Sequence, residues 1–492
     1  MKQKSIAVNT ILNSVRMTLT ILIPLITYPY ITRIFSADGI GQYEWVKSVV
    51  SIFSLIASMG ITTYAIREGS KYREDRVKFT KFAQELFILN LISTVVCYLV
   101  LFVLICAVPK FSEYKVYLLI YSVNIGLSAL CLDWVYGVYE DYAYITVRQI
   151  IVQVVSVCGL FLLVRTKNDL IIYIIITTVS NSGANIFNFI RARKYADFKP
   201  VGNYNLLLHL APVLIFFGTR FAMNAYNSLD SFILGMMCSD ESVGYYNVAV
   251  KVNTIIVTFF IAMSPVYLPR MIKYITEKNS AALNSLLNKV IRLKTILIYP
   301  MIGGLFCLAP QVVWILAGDG YDESVLTLRL LCFVLGFVIL SSIVQKDVLI
   351  PKGREKAVLV LTVVAAVSNV LISSILIIFV GFNGAAIGSL IAEGIVFISG
   401  VLYVKKIEKI NLFLIIFRES YKYIFATLIM IFVCFLMSCF IHNNLLLIVT
   451  SIPVAAVIYF LCLLVLRDYF LITNTSAFLR KLFGKKQKKM GD

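Results

Sequence analysis

Apolar runs of about 20 residues recur along the whole chain, separated by short polar breaks. A helix rising 1.5 Å per residue needs about that length to cross the hydrocarbon of a bilayer. A segment surrounded by lipid satisfies its own backbone only as a helix. The runs predict spanning helices near 11–30, 46–63, 82–108, 116–138, 146–164 and 170–190. Four more fall near 206–229, 245–268, 295–317 and 325–344, and a last four near 357–379, 385–404, 423–441 and 445–466. The expected fold is an all-α integral membrane protein of about 14 transmembrane helices.

Composition strengthens this reading. Of 492 residues, 60 % are hydrophobic and 14 % charged, with a mean hydropathy of +0.88. Soluble domains run nearer half apolar and a quarter charged, so a large soluble domain and a disordered chain are both excluded. The net charge of +19 would point to nucleic acid in a soluble protein. Here its distribution explains it. With the N-terminus in the cytoplasm, 35 of the 45 Lys and Arg fall in alternate loops and the tail, Arg148 and the 270–294 stretch among them. Six lie on the other side and four within spans. That is the positive-inside pattern, so both termini are expected in the cytoplasm and no nucleic-acid partner is expected. Lys2 and Lys4 ahead of an apolar run also fit a signal peptide, but Arg16 interrupts the run and no small-residue cleavage site follows. The tail Lys485-Lys486-Gln487-Lys488-Lys489 reads as a solvated end facing anionic lipid. The outer loops are short, the longest about ten residues, around 238–247 and 318–324.

The chain carries a faint internal repeat. Asp38-Gly-Ile-Gly41 with Tyr43 and Lys47 is echoed by Glu241-Ser-Val-Gly244 with Tyr246 and Lys251. The glycines and tyrosines match at an offset of 203; Lys47 and Lys251, like Arg16 and Arg220, match at 204. The expected organisation is a six-helix bundle over 1–190, a cytoplasmic linker at 191–205 and a second six-helix bundle over 206–404. Two further helices at 405–466 and a basic tail at 467–492 complete it. Internal repeats with a site between the halves are a feature of transporters.

A charge at membrane depth costs about 2.5 kcal/mol or more unless it faces water or a partner. Arg16, Lys47, Arg220 and Lys251 fall at different depths and read as a ladder of positive charge along one cavity, suited to an anionic phosphate group. The competing reading is that each snorkels to an interface or pairs with a buried acid. Lys47 and Arg329, near helix ends, fit snorkelling at least as well; Arg220 is too far from an interface to do so. Asp133, Asp230 and Glu393 are the acids placed for coupling or gating. Glu393 also fits a helix–helix hydrogen bond, Asp133 an interfacial position beside Trp134, and Asp230 either a balance for Arg220 or its helix end.

No catalytic constellation, metal site or cofactor is expected. The ten cysteines include no CxxC pair, and His209 and His442 share no motif. No GxxxxGK[ST] loop occurs, which excludes direct ATP hydrolysis through that motif. The 33 Phe and 28 Tyr are spread through the spans, and nothing along the chain reads as a monosaccharide pocket.

Several segments, taken in order, resemble one family. Pro29-Tyr30-Ile-Thr-Arg33 followed by Asp38-Gly-Ile-Gly41 is similar to the first hairpin of Wzx-type oligosaccharide flippases. Tyr64-Ala-Ile-Arg67-Glu68, Asp133-Trp134-Val-Tyr136-Gly137, and Asp230 with Val243-Gly244-Tyr245-Tyr246-Asn247 continue the likeness. Pro351-Lys-Gly-Arg-Glu-Lys356, Asn383-Gly-Ala-Ala386 and Glu393 carry it through the twelfth span. The resemblance implies the multidrug/oligosaccharidyl-lipid/polysaccharide (MOP) exporter superfamily, with two six-helix bundles around a V-shaped central cavity. It implies a non-enzymatic transporter of the bacterial cell membrane. The implied substrate is a polyprenyl-diphosphate-linked (undecaprenyl-diphosphate-linked) oligosaccharide, moved to the outer leaflet for capsule or O-antigen assembly. Membrane lipids, a polysaccharide polymerase and export machinery are the implied partners. Arg16 and Lys251 are the implied counterparts of cationic residues in related lipid-linked precursor flippases; Lys at 251 binds phosphate less specifically than Arg. Two rivals stand beside this reading. A drug or organic-cation antiporter of the same superfamily needs an acidic cavity, and a membrane polysaccharide polymerase needs a large external loop.

Overall fold

The computed structural model describes residues 6–418, 420–468 and 470–472; the side chains of 6–21, 215–216, 219–220, 222–227 and 265 are not among those described. All regular structure among the described residues is helical. Twelve of these helices are long and apolar enough to cross a membrane. The twelve and the expected fourteen differ at two places. Within the helical run Ile6–Ala57, Ser36 stands at φ 57° and ψ 179°, so the two spans expected there are joined through a break and count as one. That backbone region is essentially glycine-only and costs a serine about 1–3 kcal/mol. The Leu206–Met237 helix is the other; its Ser228–Met237 portion is apolar but by itself too short to cross.

Four of the described α-helices start where a polar side chain occupies a free N–H group. Asp75 Oδ1 accepts from the backbone N–H of Val77 and Lys78, each at 3.1 Å, and opens the Arg76–Ala107 helix. Asn279, Asn411 and Asn443 do the same for Ser280–Cys307, Leu412–Phe417 and Asn444–Val465. Apolar residues then face outward. On Arg76–Ala107, Ile92, Val95, Leu99 and Phe102 recur every three to four residues, all about half exposed or more. A helix that shows its apolar stripe to the outside and buries Thr80, Glu85, Asn90 and Thr94 is built for a lipid solvent.

The chain divides into two compact units. The first comprises residues 1–247, 316–320 and 377–385, and the second 248–315, 321–376 and 386–492. The core of the first gathers Tyr64, Phe79, Phe82, Trp134 and Tyr136. The second has one core around Ile291, Ile343, Val344 and Phe397. Another joins the last two helices, Ser420–Phe440 and Asn444–Val465, to Ser280–Cys307: the Tyr459 hydroxyl donates to the Ile296 carbonyl at 2.8 Å.

The connection around 193–209 is strapped to the Arg76–Ala107 helix. Arg76 grips Asp197 with two hydrogen bonds of 2.7 and 3.2 Å. The Thr80 hydroxyl accepts the Asp197 N–H at 3.2 Å, and Gln84 Nε2 donates to the carbonyls of Asp197 and Lys199, each at 2.8 Å. Glu85 then accepts the Asn205 N–H at 2.8 Å and lies 2.9 Å from His209 Nε2, whose Nδ1 meets the Tyr64 hydroxyl at 2.8 Å. Arg76, Thr80 and Gln84 stand four residues apart, one per turn. The Arg76 guanidinium holds the Asp197 carboxyl below the usual carboxylate range. A depressed pKa contributes stability above the unfolded value of about 3.9 that is lost as pH falls through the folded one. Hydrogen-exchange protection of 197–205 is therefore expected to hold at pH 7 and fall at pH 3, and Gln84→Ala is expected to lower it at both. Equal protection at the two pH values would remove Asp197 from this role.

Candidate functional site

The first unit holds a partly open cavity of about 630 Å³. The helix after the Ser36 break presents Lys47, Ser51, Ser54 and Ser58 to it, residues three and four apart along one face. Lys115–Ala129 contributes Tyr121, Asn124 and Ser128 at the same spacing, and Arg76–Ala107 adds Asn90. Asn181 and Ser182 come from a π-helical turn, Val179–Gly183, with Asn185 just beyond it. Such turns recur at functional sites. The lining thus sets hydroxyls and amides among apolar residues such as Val50, Leu55, Ile61 and Trp134, inside helices whose outer faces are apolar.

Its charges are few. Lys47 Nζ lies 2.7 Å from Glu44 Oε2 and 5.6 Å from the centre of the Tyr43 ring. Glu44 is buried. The expected cation is therefore present in the cavity, but with a carboxylate three residues before it on the same helix face. The asparagines use their amide hydrogens to tie helices together. Asn181 Nδ2 donates to the Tyr121 hydroxyl at 3.1 Å, Asn185 Nδ2 to the Leu127 carbonyl at 3.0 Å, and Asn124 Nδ2 to the Tyr121 carbonyl at 2.9 Å.

The other expected site residues scatter. The side chains of Arg16 and Arg220 lie outside the described residues. Lys251 is half-buried on the Asp240–Ile261 helix and belongs to the second unit. Asp133 accepts from Asn188 Nδ2, and from Arg148 Nη2 at 3.3 Å. Asp230 is buried and accepts the Tyr246 hydroxyl at 2.8 Å, which makes the tyrosine of the repeat one of its partners. Glu393 is buried in the Asn383–Ile407 helix of the second unit.

Two features escaped the reading of the chain. Lys294, counted with the loop cations, is 1 % exposed and bonded to Asp347 at 2.6 Å. Ser342 takes a second Lys294 hydrogen at 3.2 Å, while Ser264 and Tyr267 donate to Asp347 Oδ1 at 3.2 and 3.0 Å. A π-helical stretch, Ile343–Leu349, carries Asp347. Arg148, also counted with the loops, is buried. The second feature is a symmetric contact in the first unit. A Cβ on Gly41 would stand 1.7 Å from the Asp240 carbonyl oxygen, and one on Gly244 would stand 2.0 Å from the Ala37 carbonyl oxygen. Both partners, like both glycines, are 203 residues apart. Beside this contact, Asp240 accepts from Lys110 at 2.9 Å and from the Tyr114 hydroxyl.

The family described as polysaccharide biosynthesis protein matches residues 6–275, more than half of the chain. An O-antigen transporter by name from Shigella dysenteriae is 24 % identical over 391 residues, covering 79 % of this chain and 96 % of the relative. One of the same name from Escherichia coli (strain K12) is 22 % identical over 386 residues, covering 76 % and 91 %. Among solved structures, lipid II flippase MurJ in an inward closed conformation superposes with a TM-score of 0.73 at 16 % identity, covering 97 % of this chain and all of that one. An inward-facing multidrug resistance MATE transporter of the MOP superfamily gives 0.55 at 13 % identity, over 76 % of this chain and 94 % of its own. These two structures share the fold.

Proposed function

Because the chain belongs to the polysaccharide biosynthesis protein family, we propose that it is a flippase for polyprenyl-diphosphate-linked oligosaccharides. It is a multi-pass membrane protein, and its named relatives are transporters. The observation that carries the reading is the polar cavity of about 630 Å³ within helices of apolar exterior. A sugar head group and a diphosphate cannot cross hydrocarbon alone, whereas a polyprenyl tail never needs to leave it. A polar chamber that faces each side of the membrane in turn meets both demands.

The basic loops support an orientation with both termini in the cytoplasm; the direction, from the cytoplasmic to the outer leaflet, is the one the family resemblance implies. Arg16 and Arg220, with Lys47 and Lys251, are assigned to the diphosphate, and Asp133, Asp230 and Glu393 to coupling or gating. The matched contacts of Gly41 and Gly244 support the two-bundle repeat. The O-antigen or capsule unit, the polymerase that consumes it and the export machinery beyond belong to the same assignment. A cation antiporter is disfavoured because the described lining of the cavity holds a cation, Lys47, and no acid.

The test is complementation of a flippase-deficient bacterium that makes the cognate repeat unit, at matched protein levels. Wild type is expected to restore surface polysaccharide and clear the accumulated lipid-linked units. Arg220→Ala is expected to restore about 10- to 100-fold less transport, the equivalent of one charge-assisted hydrogen bond of about 1.5–3 kcal/mol. Failure of wild type to clear the lipid-linked pool would overturn the flippase reading; full activity of Arg220→Ala would remove that residue alone.

A further inference from the structure

A smaller cavity in the first unit, of about 200 Å³, is walled by the 193–209 connection and by the helices Arg76–Ala107, Asp133–Val138 and Ala184–Ala192. Phe87, Leu132, Val135, Phe189 and Phe198 make most of its surface apolar. Its two polar side chains are already engaged, Gln84 with the carbonyls of Asp197 and Lys199, and Asp197 with Arg76. An apolar cavity of about 150 Å³ stays dry and takes a benzene-sized guest, so this one has room for a short length of hydrocarbon. The flanking helices fix its depth. On one side of Phe87, the Arg76–Ala107 helix turns Leu91, Ile92 and Val95 outward, each about half exposed, and Ala184–Ala192 does the same with Ile186 and Ile190. On the other side stand Arg76 and Lys78, and past Ala192 come Arg193, Lys194 and Lys199, all exposed. The cavity therefore sits where lipid-facing surface gives way to charged surface, at the level of the head groups. Arg193, Lys194 and Lys199 make no salt bridge among the described residues, and the carboxylate beside them, Asp197, is held by Arg76 at 2.7 Å. The Arg193 guanidinium lies 5.1 Å from the centre of the Phe198 ring, and that ring stacks on Phe189 at 4.7 Å. A planar fork of donors, suited to phosphate, thus stands at the rim of an apolar cavity.

We propose that this cavity binds one anionic phospholipid of the leaflet that faces the basic loops: an acyl chain occupies the apolar space, and the head-group phosphate meets Arg193 and Lys199 at its rim. Charge decides the occupant. Cations without a carboxylate partner, beside a lining with no polar group to spare, fit a molecule that is anionic at one end and hydrocarbon at the other. A soluble phosphate leaves the cavity empty, and a zwitterionic lipid cancels part of the attraction. The inference goes beyond the transport reading and does not depend on it, because the ligand is an ordinary lipid of the bilayer and not the cargo. A lipid seated there touches both the 196–198 segment and the Arg76–Ala107 helix, so it braces the connection against the helix to which Gln84 ties it.

The experiment titrates the purified full chain in detergent with dioleoyl phosphatidylglycerol, dioleoyl phosphatidylcholine and glycerol 3-phosphate. Binding is read as the concentration that gives half of the maximal thermal shift, and hydrogen exchange of 197–205 is followed alongside. Phosphatidylglycerol is expected to stabilise wild type and to raise protection of 197–205. Phosphatidylcholine, with the same chains, is expected to need at least tenfold more, and glycerol 3-phosphate, with no chain, to do neither. Arg193→Gln/Lys199→Gln is expected to weaken the phosphatidylglycerol response about fivefold for each charge removed and to leave the phosphatidylcholine response as it was. Phe198→Ala, which removes part of the wall, is expected to weaken the response to both lipids. All three side chains are exposed, so these variants keep the fold. Equal potency of the two lipids on wild type, a glycerol 3-phosphate response as strong as that of the lipid, or a double variant with the full phosphatidylglycerol response would overturn the site. Farnesyl diphosphate acting at lower concentration than phosphatidylglycerol, and losing that advantage in the double variant, would make a polyprenyl diphosphate the occupant and overturn the assignment as well.

Discussion

Removing one charge of the Lys294–Asp347 pair is expected to destabilise the second unit by about 3–5 kcal/mol, and removing both by far less. The pair is almost fully enclosed: the lysine side chain is 1 % exposed and the aspartate 0 %. Lys294 gives its hydrogens to Asp347 and Ser342, and Asp347 takes two more from Ser264 and Tyr267. Asp347→Leu leaves an ammonium with hydroxyls alone, in a core formed by Ile291, Ile343, Val344 and Val348. Lys294→Met leaves a carboxylate in the same position. The double variant Lys294→Met/Asp347→Leu leaves neither charge, and apolar side chains of similar length suit that core. Thermal unfolding in detergent checks this as a double-mutant cycle. Additive losses would show that the two groups do not depend on each other. A double variant that folds but does not transport would place the pair in the cycle rather than only in the scaffold.

The second large effect is expected at the crossing of Gly41 and Gly244. Alanine at either position sets a methyl group 1.7 or 2.0 Å from a backbone carbonyl oxygen, and backbone cannot turn aside as a side chain end can. Overpacking of this kind costs about 1–3 kcal/mol or more. The contact is reciprocal, Gly41 on Asp240 and Gly244 on Ala37, so either alanine pushes the same two helix starts apart. Once they are apart, the second methyl meets open space. The losses in unfolding temperature of Gly41→Ala and Gly244→Ala are therefore expected to be alike, and the double variant little worse than either. Strict additivity would mean that the two glycines do not share one interface. Transport measured on the same variants shows whether the crossing has to open during turnover.

Helices were legible along the chain because lipid imposes a single demand: about twenty apolar residues with no backbone group left over. Hydropathy marks where the apolar stretch begins rather than where the helix begins. Lys294 shows the difference. The apolar stretch starts near 295, while the helix runs from Ser280 to Cys307, so a residue that reads as the last of a loop lies in mid-helix. Arg148 falls inside the expected 146–164 span but was counted with the loop beside it; it is buried within Tyr142–Leu163. Lys47 was legible as a cation at membrane depth; the buried Glu44, one turn before it, was visible and went unused. The cavity itself was not legible. Ser51, Ser54 and Ser58, or Tyr121, Asn124 and Ser128, are polar positions at helical spacing within apolar runs, and that is a signal. Which of several polar faces meet around one chamber depends on how the helices pack, and no single stretch of chain records that.

The partly open chamber also has an electrical consequence. Filled with about twenty waters, it is a high-dielectric inclusion inside a layer of low dielectric constant. A transmembrane voltage does not fall evenly across such a layer; most of it drops over whatever dry protein remains between the water and the far side. A charge crossing the full voltage gains about 2.3 kcal/mol per 100 mV, and here that gain is compressed into a shorter path. A head group carrying negative charge then feels a steep local field at one step of its passage and almost none at the others. The turnover rate in vesicles is therefore expected to depend on voltage through one step, with an apparent gating charge set by how much of the substrate's charge moves in that step.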